Sequence, residues 1–148
     1  MTVRVEIHRL REGVALPAYM TPGAAAMDVA AALDAPLTLE PHVPTRVPLG
    51  FAIALPSRDW AALLFGRSSL GAKYGVMPSN AVGVIDSDYR GELCMNLINH
   101  TDAPVTIEPG QRIGQLMVIP AATAVWAETD ELPASERGAG GYGSTGER

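Results

Sequence analysis

The sequence predicts an all-β fold of the sandwich or barrel type, on three observations. Strand-sized apolar stretches recur along the whole chain, turn signals separate them, and twelve prolines with fifteen glycines leave little room for long helices. In order, the stretches are Val3 to Ile7, Leu37 to Leu39, Val47 to Leu55, Ala61 to Phe65, Val82 to Ile85, Leu93 to Ile98, Val105 to Ile107, Ile113 to Ile119 and Ala124 to Trp126. Pro22-Gly23, Asp34-Ala35-Pro36, Glu40-Pro41, Leu49-Gly50, Pro56-Ser57, Pro78-Ser79-Asn80 and Pro109-Gly110 punctuate them. Ala24 to Leu33 is alanine-rich, which favours helix, yet its shortness and the nearby Pro36 point to an irregular or extended course. One or two helical turns at most are expected, one of them near Ser69 to Lys73. Trp60 and Trp126 read as packing residues of a β fold. From Glu131 hydrophobicity collapses into R-G-A-G-G-Y-G-S-T-G, so a single β domain over residues 1–130 is followed by a flexible arm over 131–148.

Composition narrows the function classes. At 148 residues the chain suits one domain rather than two. No apolar run approaches the roughly 18 residues of a membrane span, and M-T-V-R-V-E-I lacks the apolar region of a signal peptide. The expectation is a soluble, cytoplasmic protein. A single cysteine, Cys94, excludes an intramolecular disulfide and a thiolate zinc cage, and His8, His42 and His100 are scattered without ligand spacing. A net charge of −5 argues against a nucleic-acid groove. Any anion site must therefore be local.

Three segments could carry chemistry. Asn80 to Glu92, N-A-V-G-V-I-D-S-D-Y-R-G-E, reads as a β-hairpin whose turn holds Asp86 and Tyr89. Asp86 suits a general base acting on water, or else a turn-initiating Asp that bonds its own backbone. Tyr89 suits stacking on a sugar or base, or half-burial at a strand end. Gly66 to Lys73, G-R-S-S-L-G-A-K, puts a guanidinium and two hydroxyls at the start of a short turn or helix. That set suits phosphate, while an N-capping Ser beside a surface Arg is the plainer alternative. It is not a Walker A loop, because the G-x-x-x-x-G-K-[ST] spacing is absent. Likewise Asp86-x-Asp88-x-Arg90-Gly91 fails as an EF-hand loop, with Arg90 at one ligand position and Leu97 where the closing Glu should stand. Finally, Gly138 to Gly143 matches G-x-G-x-x-G, but no strand precedes it and too few residues follow it for a helix. Its Arg137, Tyr142, Ser144 and Thr145 on a glycine-rich backbone instead suit a lid that folds over a nucleotide.

Five segments in this order resemble the five motifs of the trimeric dUTPases, over nearly the whole chain from Leu16 to Gly146. They are Ala25 to Ala31, Gly66 to Lys73, Asn80 to Glu92, Pro109 to Leu116 and Arg137 to Gly146. The chain departs from the family's pattern at Ala26 (usually glycine), Gln111 (commonly acidic), Gly114 (commonly alanine) and Tyr142 (usually phenylalanine or histidine). The resemblance implies a jelly-roll fold of the β-clip type and a homotrimer whose three active sites draw on all three chains, with the arm closing over a neighbour's site. It implies hydrolysis of dUTP to dUMP and pyrophosphate, which limits uracil in DNA and supplies dUMP for dTMP synthesis. In that reading Asp86 aims the attacking water at the α-phosphorus. Asn80 and the main chain at Gly83, Val84 and Ile85 hold uracil, and Tyr89 packs on deoxyribose. Arg67, Ser68, Ser69 and Gln115 hold phosphates, while Arg137, Tyr142, Gly143, Ser144 and Thr145 close the lid. Magnesium bridges the phosphates and reaches Asp28 through water. A dCTP deaminase of the same fold and a non-catalytic β-trimer with a regulatory role are the rivals. The first needs a glutamate at the base site, where V-G-V-I-D-S-D-Y carries aspartate.

Overall fold

The protein is described here by a computed structural model over residues 2–141. In chain order the elements are β1 (Glu6–Arg9), β2 (Met27–Ala30), β3 (Leu37–Leu39), β4 (Thr45–Pro48), β5 (Phe51–Ala54), β6 (Trp60–Gly66), α1 (Ser68–Tyr74), β7 (Val76–Pro78), β8 (Val82–Ile85), β9 (Cys94–Asn99), β10 (Val105–Ile107) and β11 (Arg112–Pro120). All pairings between them are antiparallel. β2-β11-β6-β8 form one sheet and β4-β9-β7 another, while β1 pairs with β5 and β3 with β10. Sequence neighbours are seldom sheet neighbours, which is the crossing pattern of a jelly roll.

Alternation along the strands sends one face of each sheet inward. Val29, Ala62, Leu64, Ile113 and Leu116 of the four-stranded sheet share a core with Val47, Val76, Met95 and Leu97 of the three-stranded one. Burial of each large aliphatic side chain contributes about 1.5–3 kcal/mol. Asn99 also points inward, and its burial is tolerated because its amide is fully engaged. Its Nδ2 donates to the carbonyls of Leu39 (3.1 Å) and Ala103 (2.8 Å), and its Oδ1 accepts from the Thr101 amide (2.9 Å) and hydroxyl (2.8 Å).

The all-β reading and the short helix near Ser69 to Lys73 agree with this architecture, and five expectations need correction. Asn80 to Glu92 is not a hairpin: β8 pairs with β6, whereas β9 pairs with β4 and β7, so the Asp86 turn carries the chain from one sheet to another. A two-strand reading of the alternation could not distinguish these, since both give the same inward residues. Ala124 to Trp126 forms no strand, and Trp126 is 92% exposed rather than packed. After Pro120 the chain leaves the sheet, held by the Ala121 amide on the Asp59 carbonyl (2.7 Å) and by Arg58 on the Thr123 hydroxyl (3.2 Å). β-propensity without a partner strand makes no strand. Trp60, by contrast, packs against the core. Val47 to Leu55 is two strands, broken at Leu49-Gly50, and Val76–Pro78 adds a strand where only a turn signal stood.

Departures from the motif pattern have local reasons. Ala26 is not among the positive-φ residues, so its backbone does not demand glycine. Gln111 Oε1 accepts from the Glu108 amide (2.9 Å), as a carboxylate there would. At Gly114 a Cβ would collide with Met95 Sδ and stand 2.8 Å from the Phe65 carbonyl, so Met95 occupies the room of the missing methyl. Gly114→Ala should destabilise the fold by about 1–3 kcal/mol. Urea melts of the single and double variants with Met95→Ala should then give a combined loss smaller than the sum of the two. Asn99→Ala leaves several buried groups unpartnered, and its urea midpoint should correspond to a loss of about 3 kcal/mol.

Candidate active site

On β2 the buried Val29 fixes the opposite orientation for Asp28, on the outer face of the four-stranded sheet. Gln115 of β11 stands directly across from it and donates Nε2 to Asp28 Oδ1 at 3.0 Å. Arg112 Nη1 donates to Oδ2, also at 3.0 Å. Residues 112 and 115 are an odd number apart, so a regular strand would send them to opposite faces. A register shift between Arg112 and Gly114 inserts one extra residue and turns both toward Asp28. Arg67, the residue after β6, brings Nε within 3.4 Å of the same Oδ2 and donates Nη1 to Ser69 Oγ at 2.8 Å.

The Asp28 side chain is only 8% exposed, so these partners offset the cost of its desolvation. Two guanidiniums against one carboxylate leave a surplus positive charge on an otherwise acidic chain. Arg67 itself holds the N-cap position of α1 without a side-chain cap bond. No N-capping Ser is therefore present in this segment: Ser68 is exposed and Ser69 Oγ accepts from Arg67. Arg112 was absent from the expected site residues. The signal that could have found it is charge on the strand next to Gln115, but pairing both with Asp28 required the bulge.

The second cluster surrounds the end of β8. This strand is an edge of its sheet, so alternate main-chain groups along Gly83, Val84 and Ile85 are free to pair with a planar ligand. Gly83 lies tight on β6, where a Cβ would stand 3.2 Å from Leu64 Cβ. The entry turn is strained: Ala81 has φ +61°, and the Asn80 carbonyl accepts from the Val82 amide at 2.7 Å while Asn80 Nδ2 donates to the Val82 carbonyl at 3.2 Å. Asp86 is exposed at the strand's end. Its turn is closed by the Tyr89 amide on the Asp86 carbonyl (3.2 Å) and by Arg90 on the carbonyls of Ser87 (2.8 Å) and Tyr89 (2.9 Å), not by the carboxylate. The Asp86 carboxylate thus has no task in its own turn. A cleft of about 270 Å³ opens beside it, lined by Asp86, Tyr89, Val84, Ile85, Arg46 and Cys94 among others. Hydrogen bonding to Cys94 raises the pKa of Arg46, a guanidinium charged at neutral pH in any case.

These two clusters do not meet in one chain. Asp28, Gln115, Phe65 and Val82 form one row across the sheet, whereas Ile85 lies in the row of Ala62, three residues along. Three strand spacings and four residue rises put the backbones of Asp28 and Asp86 on the order of 20 Å apart. Arg137 joins neither cluster, since its Nε donates to the Gly140 carbonyl of its own turn at 2.8 Å. Tyr142, Gly143, Ser144 and Thr145 lie outside the described residues.

Comparison with known proteins bears on this arrangement. The family model for dUTPase matches residues 12–146. A deoxyuridine 5'-triphosphate nucleotidohydrolase of Albidiferax ferrireducens is 51% identical over 131 residues, covering 88% of each chain. One from Paraburkholderia phymatum is 44% identical and covers 99% of this chain and 97% of its own. Among solved structures, a Staphylococcus bacteriophage 80alpha dUTPase mutant with dUpNHpp superposes with a TM-score of 0.86 at 24% identity, over 98% of this chain and 99% of that one. A dUTPase mutant from phage phi11 of S. aureus, described with a structural Mg(II) ion, gives 0.79 at 20% identity over 88% of this chain and 99% of its own. The five motifs, the jelly-roll crossing and the match over residues 12–146 converge: this chain belongs to the dUTPase family.

Proposed function

We propose that this chain hydrolyses dUTP to dUMP and pyrophosphate, and that it does so as a homotrimer with sites shared between chains. The separation of the two clusters carries the reading. An in-line attack needs the nucleophile about 3–3.5 Å from the α-phosphorus, and the general base within hydrogen-bond reach of that water. With Asp86 and the Asp28–Gln115 pair on the order of 20 Å apart in one chain, a phosphate held at Arg67 and Gln115 is beyond the reach of a water on Asp86. A neighbouring copy that brings its Asp86 turn to this chain's phosphate cluster removes the difficulty. Closed rotational symmetry then repeats the site in every chain.

In each site, Asn80 and the free main-chain edge of Gly83, Val84 and Ile85 pair with the polar edge of uracil. Tyr89 lies against the deoxyribose. Arg67, Ser68, Ser69 and Gln115 of the next chain hold the phosphates, with Gln115 and Arg67 themselves held by Asp28. Asp86 takes a proton from water as the oxygen attacks phosphorus, and the pyrophosphate leaves on the far side. The arm, residues 131–148, brings Arg137, Tyr142, Gly143, Ser144 and Thr145 over the nucleotide, where ring and hydroxyls shut out bulk water.

Magnesium fits an outer-sphere place. Two hydrogen bonds and the ion pair with Arg67 already engage the Asp28 carboxylate, leaving room for a metal-bound water but not for a full ligand set. When bound, the ion would offset triphosphate charge. The protein works in the cytoplasm, in keeping with the lack, among the described residues, of any helix long and apolar enough to cross a membrane. Neither nucleic acid nor membrane is a partner.

Asp86→Asn should bind nucleotide yet lose nearly all pyrophosphate release, and wild-type turnover in that variant would sink the general-base role. Gln115→Ala should be similarly impaired. Refolding the two inactive variants together at equal amounts should recover about a quarter of wild-type sites, because random assembly pairs an intact Asp86 with a neighbour's intact Gln115 at that frequency. No recovery would place both residues in one chain's site. Deleting residues 137–148 should cut dUTP turnover at least tenfold while sedimentation still reports a trimer. A fully active truncation would rule out the lid.

A further inference from the structure

We infer that Glu92, held by Arg11 and the Gly50 amide, is a positioning residue that fixes the Tyr89 ring and so sets discrimination between deoxyribose and ribose nucleotides; this rests on the reading of Tyr89 as the sugar contact. The Tyr89 hydroxyl donates to the Glu92 carbonyl at 3.1 Å, so the ring's far end is tied to the Glu92 peptide. Its flank is set by Gly91, where any Cβ would run into the Tyr89 ring. Ring position therefore follows wherever Gly91 and the Glu92-Leu93 peptide are held.

That peptide is held from outside the turn. Glu92 Oε1 accepts from the Gly50 amide at 3.0 Å and lies 3.6 Å from Arg11 Nη2. Gly50 has little freedom to yield. It sits at φ +74°, with room for no side chain between Val14 and Ala32, and its carbonyl accepts from the Leu10 amide at 2.9 Å. The next residue, Leu93, straddles the same corner, its carbonyl accepting from the Leu49 amide and its amide donating to the Phe51 carbonyl, both at 2.9 Å. Arg11 in turn donates Nη1 to the Ala32 carbonyl at 2.8 Å, two residues beyond β2. The Glu92 carboxylate thus locks a mobile-looking surface turn to a glycine corner and to the N-terminal segment. Glu92 also lines the cleft beside Asp86, but its carboxylate is engaged by the Gly50 amide and by Arg11, so its effect on substrate passes through Tyr89.

A purely structural role for Glu92 would change stability and leave sugar selectivity untouched. The test is therefore the ratio of kcat/KM for dUTP to that for UTP, alongside thermal melting, in the full-length trimer. Glu92→Ala should lower the ratio about tenfold, since a ring displaced by even 1 Å admits the 2′-hydroxyl. Glu92→Gln keeps an acceptor for the Gly50 amide and should stay within about threefold of wild type. Tyr89→Phe removes the bond to the Glu92 carbonyl without touching the core. It should lower the ratio as Glu92→Ala does, and the double variant should fall no further than either single one. If Glu92→Ala does not fold, Tyr89→Phe and Glu92→Gln carry the test between them. An unchanged ratio in Glu92→Ala or in Tyr89→Phe would overturn the inference. Asp86→Asn, measured in parallel, separates the two failures: an active Asp86→Asn undermines the proposed hydrolysis itself, whereas an inactive one with unchanged selectivity in Glu92→Ala removes only the role of Glu92.

Discussion

The Asp28 carboxylate is the constraint on which the cluster of Arg67, Arg112 and Gln115 is built. Two arginines and an amide would otherwise repel or wander on the outer face of a sheet, and only a nearly buried anion between them holds all three in one place. Its own burial is tolerable for the same reason, because each of its oxygens is hydrogen-bonded. The bulge in β11 serves this arrangement. Without the extra residue between Arg112 and Gly114, either the guanidinium or the amide would turn into the core, where Ile113 and Leu116 belong.

The opposite edge of the same sheet is organised by a different means. There β8 pairs with β6 on one side only and, among the described residues, its outward main-chain groups have no strand partner, with a strained Ala81 at its entry and the Asp86 carboxylate at its exit. An open edge is ordinarily an aggregation hazard, and a short strand that ends in a charged turn limits the risk while leaving donors and acceptors available. In the proposed function, another copy completes each of these two half-sites on opposite edges of one sheet. The trimer and the enzyme are thus one hypothesis rather than two.

Several of these features were legible in the residues. G-R-S-S-L-G-A-K after an apolar strand announced a helical turn, and the Val82 to Ile85 stretch coincides with β8. The identity of the base did not follow from such chemistry and came from the ordered set of five motifs. Alternation records which side chains face inward but not which strand lies alongside, so the residues around Asp86 suggest a hairpin where a turn between sheets forms. Apolar content does not by itself bring packing, and Trp126 lies exposed because the segment after Pro120 has left its sheet.

By itself, then, the sequence determined the fold class, the motif-bearing segments and the residue types available for phosphate, base and proton transfer, because these depend on local pattern and composition. Tertiary structure decided which of those residues act together. Arg112 joins Asp28 only through a bulge. Asp86 and Gln115 stand apart because sheet geometry separates rows and strands by fixed distances. Glu92 reaches Gly50 across 42 positions of chain. Each is a long-range pairing, and no spacing along a single strand of sequence encodes it.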